Sequence, residues 1–158
     1  MSNMKTNAMR ILDLNNIEYQ MFSYKVIKDH VDGVEAAKQI GKDVKEVYKT
    51  LVVRGTSKNI YICVIPVAEN LDFKKVAKTC GEKNIEMINV SEINKITGYI
   101  RGGCSPIGMK KKYITFIDDT ARVMDKIIVS AGKVGYQVQL QSKDLQAITD
   151  AKYAKIIK

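Results

Sequence analysis

Apolar residues first recur at helical spacing near the N-terminus, where Ala8, Met9, Ile11 and Leu12 make one side of a helix and Ile17 can extend it. Asn3 or Thr6 can cap this helix, and Asn15 and Asn16 end it. The period then shortens to an alternation over residues 18–24, which predicts a strand with Tyr19, Met21 and Ser23 on one side and Phe22 and Tyr24 on the other. Asp32 or Gly33 opens a second helix carrying Val34, Ala37 and Ile40, and beyond Gly41 a short helix from Asp43 to Val47 continues the burial. From Tyr48 to Gly55 the pattern turns β-rich, and residues 51–53 with 60–65 predict a hairpin around the turn 57–59, closed by Pro66. Asp72 caps a helix over residues 73–80 that ends at Gly81, with Phe73, Val76, Ala77 and Cys80 as its apolar stripe. Residues 85–89 form a short strand, and Ser91 caps a small helix in which Ile93 and Ile96 pack. Three further strands are predicted over 113–117, 127–129 and 136–140; the last alternates Tyr136, Val138 and Leu140 against Gln137, Gln139 and Gln141. Ser142 caps a closing helix through Leu145 and Ile148, with Asp144 near its positive end.

No linker or low-complexity tract divides these elements, so residues 1–158 are expected to form one domain, with 46% of residues hydrophobic and 27% charged. Charge changes the picture more than hydropathy does. The 26 basic and 17 acidic side chains leave a formal net charge of +9, which favours a polyanionic partner over a neutral one. Cys63, Cys80 and Cys104 are widely spaced, form no CxxC pair and have only His30 as an imidazole companion, which argues against a disulfide framework or a zinc site. No metal or other cofactor is expected. No apolar run reaches transmembrane length and no secretory h-region opens the chain, so a soluble cytoplasmic protein with no membrane partner is expected.

Residues 97–112 interrupt the regular pattern. Gly98, Gly102, Gly103 and Gly108 allow turns and close approach to the backbone, and Pro106 biases Ser105 toward an extended conformation. Successive N–H groups turned into one cavity would suit a phosphate, a carboxylate or a carbonyl oxygen gaining charge. Arg101 and Lys110, Lys111 and Lys112 favour an anion there, although a structural turn beside a basic strand end has the same composition. Ser105 does not sit in a Gly-x-Ser-x-Gly elbow and has no base beside it, and Cys104 reads as a packed thiol. Lys49, at the start of a strand, is either a solvated lysine or a compact cation for one phosphate or carbonyl oxygen. Lys74, Lys75 and Lys78 make either an RNA-backbone patch or an ordinary wet helix face. Tyr24 either meets a ligand or completes the core, and Asp144 either steadies its helix or receives a substrate amine.

Tyr48, Lys49, Thr50 and Leu51, the segment 70–78 and the glycine-rich residues 97–108 follow one another in an order and spacing that resemble the YbaK/EbsC family of aminoacyl-tRNA deacylases, related to the editing domain inserted in bacterial prolyl-tRNA synthetases. The resemblance continues into residues 128–135 and 142–145 and so covers essentially the whole chain. It implies a single compact α/β domain with a mixed, curved β-sheet and surrounding helices. It implies that Lys49 faces an editing pocket, that Gly102 and Gly103 belong to the catalytic loop, and that Tyr24, Thr50, Arg101, Ser105 and Asp144 bind substrate. Cys104 stands where the family pattern often has an aliphatic residue and gains no role from it.

The implied activity is trans-editing of cysteinyl-tRNA(Pro), extending to cysteinyl-tRNA(Cys), in which the substrate's own thiol attacks its ester. The implied partners are the aminoacyl-tRNA and, transiently, prolyl-tRNA synthetase. Lys74, Lys75, Lys78, Lys110, Lys111 and Lys112 are the candidate RNA contacts. Two alternatives stand beside this activity: water-mediated hydrolysis of alanyl-tRNA(Pro), and a nonenzymatic module that binds tRNA or a synthetase.

Overall fold

The computed structural model describes residues 5–26 and 32–158, so Asn3 and His30 lie outside the described residues. Helix α1 (Asn7–Leu14) starts where Thr6 Oγ1 accepts the Met9 N–H at 3.2 Å and stops at Asn15, with Ala8, Met9 and Leu12 buried. Strand β1 (Tyr19–Ser23) follows, and α2 (Gly33–Gln39) is capped by Asp32 Oδ1, which accepts the Val34 N–H at 2.9 Å. A 3-10 turn over Val44–Glu46 leads into β2 (Tyr48–Gly55) and β3 (Ile60–Pro66), the expected hairpin. Asp72 and Gly81 bound α3 (Phe73–Cys80) as read from the sequence, Gly81 in the left-handed region at φ 73°.

After β4 (Ile85–Met87) the small helix α4 (Ile93–Thr97) is entered through a 3-10 turn whose cap residue is Asn89, not Ser91. The Glu92 carboxylate takes the Asn89 N–H at 3.2 Å and is itself held by Arg54 at 2.8 Å, which fixes the start of the turn two residues early. The chain ends with β5 (Ile114–Asp118), β6 (Lys126–Ser130), β7 (Tyr136–Gln141), α5 (Ser142–Thr149) and β8 (Lys152–Ala154). Ser142 is not a cap either: it is buried, donates to the Ala121 carbonyl at 2.8 Å and meets the Tyr153 hydroxyl at 2.8 Å, while Gln141 precedes the helix. The sequence pattern does not announce β8, a three-residue edge strand held by parallel pairing with β5. Among the described residues no helix is long and apolar enough to cross a membrane.

Five strands form a mixed sheet in the order β4-β2-β3-β5-β8, and three form an antiparallel sheet, β1-β7-β6. A parallel bridge between Val47 and Ile128 joins them. The strand period of two sorts the core. Val52, Ile62, Val64 and Ile117 face inward onto Ile127, Val129, Val138 and Leu140 and onto Met9 and Leu12 of α1. Val53, Tyr61, Cys63, Ile65 and Phe116 face the other way, under Val76 and Ala77 of α3. Strand β7 lies between β1 and β6, and Gln137 and Gln139 are only 6% and 9% exposed, because their face of the sheet also carries Ile128, which packs with Ala37, Val47 and Val67.

Two features position the site. Strand β4 pairs only with residues 53–55 of β2, so the half of β2 that begins at Tyr48 has β3 on one side and an open edge on the other. The glycine-rich segment folds back against the turn between β6 and β7, where a Cβ on Gly103 would stand 2.9 Å from Val134 N and 3.2 Å from Lys133 C. Those are backbone atoms that cannot swing away. Gly103→Ala should therefore destabilise the fold by about 1–3 kcal/mol, the cost of overpacking, seen as a lower urea midpoint at unchanged slope.

Candidate functional site

A cavity of about 550 Å³ fills the open edge of β2. Lys49, Thr50, Leu51 and Val52 line it from the strand, Asp32 and Gly33 from the start of α2, Met87 from the end of β4, and Val90 and Ile93 from the segment after it. Arg101, Gly102 and Cys104 close it from the glycine-rich segment, with Tyr24, Ser130 and Gln137 from the smaller sheet. Tyr48 presents only its ring, since its hydroxyl is tied to Thr120 at 2.8 Å.

Lys49 is half-buried, and loss of solvent lowers its pKa below the ordinary lysine value, while the nearby carboxylates Asp32 and Glu69 act in the opposite direction. Its ammonium is thus incompletely hydrated and available to an anionic or carbonyl oxygen. Two buried polar atoms have no hydrogen-bond partner among the described residues, Thr50 Oγ1 and Gln137 Oε1, and both residues line this one cavity. An orphaned buried polar atom costs roughly 1–3 kcal/mol. Two of them in one cavity mark a place where a ligand's donors are expected.

The structure brings together Tyr24, Lys49, Thr50, Arg101 and Gly102 from the candidates read in sequence. It does not bring Asp144, which sits in the first turn of α5 and is absent from the cavity wall. Gly103 and Ser105 do not line the cavity either. The Gly103 N–H donates to the Ile100 carbonyl at 2.9 Å in a local turn, and the residue serves the close approach to Val134. Ser105 is fully buried with its Oγ accepting the Ile107 N–H at 3.2 Å, as suits a residue shaping the turn at Pro106. Cys104 does reach the cavity, but burial pushes its thiol up to about 11, so the thiolate is scarce at neutral pH.

The lysine candidates stand apart from the cavity wall. Lys74, Lys75 and Lys78 are exposed on α3, beyond the opposite face of the large sheet from the main core, and Lys75 Nζ donates to the Ile157 carbonyl at 2.8 Å. Lys110, Lys111 and Lys112 are exposed as well; Lys110 Nζ donates to the Lys95 carbonyl at 3.3 Å, and Lys112 pairs with Asp150.

Sequence reasoning missed Gln137 and Asp32. Alternation along β7 separates Gln137 from the apolar side of the strand but does not say what packs on its own side. Asp32 was legible only as a helix cap. Among the described residues no three His, Cys, Asp or Glu side chains converge as a metal site would require.

Comparison with known proteins follows the same line. Residues 28–148 match the model of the aminoacyl-tRNA editing domain. The chain is 39% identical to the "Putative Cys-tRNA(Pro)/Cys-tRNA(Cys) deacylase EbsC" of Enterococcus faecalis (strain ATCC 700802 / V583), over 96% of this chain and 93% of that protein. It is 25% identical to the "Uncharacterized protein YwhH" of Bacillus subtilis (strain 168), over 75% of this chain and 74% of that one. A crystal structure described as "a putative trans-editing enzyme for prolyl tRNA synthetase" shares the fold, with a TM-score of 0.81 and 19% identity over 98% of this chain and 99% of that one.

If Thr50 and Gln137 are held for a ligand and not for the fold, removing their orphaned atoms should leave the free protein as stable or more so. Thr50→Val and Gln137→Leu are each expected to raise unfolding free energy by up to about 1 kcal/mol in urea titrations, against the usual loss for a core substitution.

Proposed function

The chain belongs to the aminoacyl-tRNA editing domain family, and we propose that it is a trans-acting deacylase that clears cysteinyl-tRNA(Pro), and also cysteinyl-tRNA(Cys). The observation that carries this reading is the cavity: a partly desolvated Lys49 beside two unpartnered buried polar atoms, in a chain aligned over 96% of its length with a relative named for that activity. A volume of about 550 Å³ suits an aminoacyl group with part of its terminal nucleoside.

In this reading Lys49 holds the terminal phosphate or polarises the ester, Gly102 flanks the carbonyl oxygen as it gains charge, and Arg101 takes a phosphate at the exposed rim. Thr50 and Gln137 accept hydrogen bonds from the ribose hydroxyl or the aminoacyl group, and Tyr24 bounds the amino-acid side chain. Neither Ser105, without a base, nor Cys104, with its raised pKa, supplies a nucleophile. The cysteinyl substrate carries one. Its thiol attacks its own ester carbonyl: a C–S bond forms, the bond from that carbon to the ribose oxygen breaks, and the thiol proton ends on the released tRNA hydroxyl. The product is a strained four-membered thiolactone, which water opens to free cysteine. A free thiol has a pKa of about 8.5, so the cavity's main task is to hold sulfur against the carbonyl carbon.

Lys74, Lys75 and Lys78 serve encounter with the RNA backbone, and a transient complex with prolyl-tRNA synthetase would deliver the mischarged tRNA. Cleavage should therefore weaken as salt rises, through KM, and Lys74→Glu with Lys78→Glu should flatten that dependence; a rate indifferent to ionic strength contradicts electrostatic capture.

Purified protein is expected to turn over cysteinyl-tRNA(Pro) and to leave seryl- and alanyl-tRNA(Pro) largely intact, with Cys104→Ala retaining activity. Stable binding without ester loss would make the protein a binding module, and equal alanyl turnover would replace thiol attack by water-mediated hydrolysis. Lys49→Ala should keep its circular dichroism spectrum and lose about 100- to 1000-fold in single-turnover rate, the effect of removing one transition-state donor.

A further inference from the structure

We propose that Asp32 anchors the free α-amino group of the substrate and so makes the cavity select aminoacyl-tRNA over N-acylated, peptidyl-like tRNA esters. This rests on the deacylase reading and assigns a specificity determinant within it.

The argument begins with charge. Among the described residues the cavity wall carries two cationic side chains, Lys49 and Arg101, and an aminoacyl ester adds a further cation whenever its amine is protonated. Such a group enters favourably only where a carboxylate faces it. Among the described residues lining the cavity, Asp32 is the only carboxylate. Asp144, the acidic residue that sequence alone suggested for the amine, is elsewhere. Glu69 influences Lys49 but does not reach the wall.

Geometry supports the assignment in two ways. One carboxylate oxygen of Asp32 is held by the Val34 N–H at 2.9 Å, which orients the group and leaves its second oxygen for another donor. The adjoining backbone is pinned, because Gly33 lies so close to Val67 that a Cβ would stand 2.6 Å from Val67 Cγ1. Asp32 and Lys49 line the same cavity, so the amine and the ester end of one small substrate can be held by groups of opposite sign. An N-acyl group removes the positive charge and adds bulk where the carboxylate stands. A peptidyl-tRNA ester would then lose the anchor and survive.

Asp32→Asn isolates the charge, because Asn caps a helix as well as Asp does and has the same size. The experiment measures kcat and KM for cysteinyl-tRNA(Pro) and N-acetylcysteinyl-tRNA(Pro) with wild type and Asp32→Asn, and repeats it with Asp32→Ser, a second uncharged cap. Wild type is expected to favour the free amine. The variants should lose about tenfold in kcat/KM on the free-amine ester, mainly through KM, and keep the wild-type rate on the acetylated one. An equal loss on both esters would mean that Asp32 acts through Lys49 or the fold, and it would overturn the proposal. No loss on either, or a wild type without preference, would overturn it too while leaving the deacylase reading intact. A wild type that cleaves neither ester would bring down both.

Discussion

Strand β2 pairs along its whole length with β3 but only at residues 53–55 with β4. That mismatch leaves a strand edge inside the molecule, and the cavity exists because nothing regular fills it. Lys49 and Thr50 stand on the unpaired half, so these two residues of the cavity wall are fixed by the β2–β3 hairpin while their outer side faces the cavity. A longer β4 would complete the sheet and close the site. Rigid backing with one open flank is what positioning chemistry needs, because the geometry of attack must be set before the reaction begins.

The cavity is electrically mixed and only partly dry. Burial lowers the Lys49 pKa while Asp32 and Glu69 resist that shift, so the lysine is held between loss of water and compensation by carboxylates. Thr50 and Gln137 add buried oxygens without partners among the described residues, each at a cost to the folded chain. The glycine-rich segment supplies the remaining wall, and its glycines divide the labour. Gly102, at φ 85°, turns the chain at the cavity, whereas Gly103 lets the segment lie against the backbone of the turn between β6 and β7. One of the two is there for the site and the other for the packing that places the site.

Much of this was legible from residue order. The cap at Thr6, the hairpin over β2 and β3, and the helix between Asp72 and Gly81 follow from local rules: a side-chain oxygen before a helix, a glycine after it, apolar runs around a polar turn. Lys49, Thr50, Arg101 and Gly102 were likewise nameable, because they lie in segments whose order resembles the editing family, and Tyr24 because it matches an aromatic residue of that family. What local rules misplaced were the choices settled by distant partners. Ser142 looked like a cap and is a buried hydroxyl between Ala121 and Tyr153; Asn89 took the turn assigned to Ser91 because Glu92, steadied by Arg54, reaches back to it.

The sequence by itself determined the elements, the excess of positive charge and the family pattern, since each is a property of neighbours along the chain. Only the tertiary structure decided which acidic and amide groups share the cavity. Gln137 is buried because its face of the smaller sheet, shared with Ile128, packs toward Ala37, Val47 and Val67, and Asp32 stands at the wall beside Gly33, which packs tightly on Val67, while Asp144 is carried away at the start of α5. Those placements depend on pairings between segments about a hundred residues apart, such as β1 with β7, and alternation within one strand cannot say what lies across it.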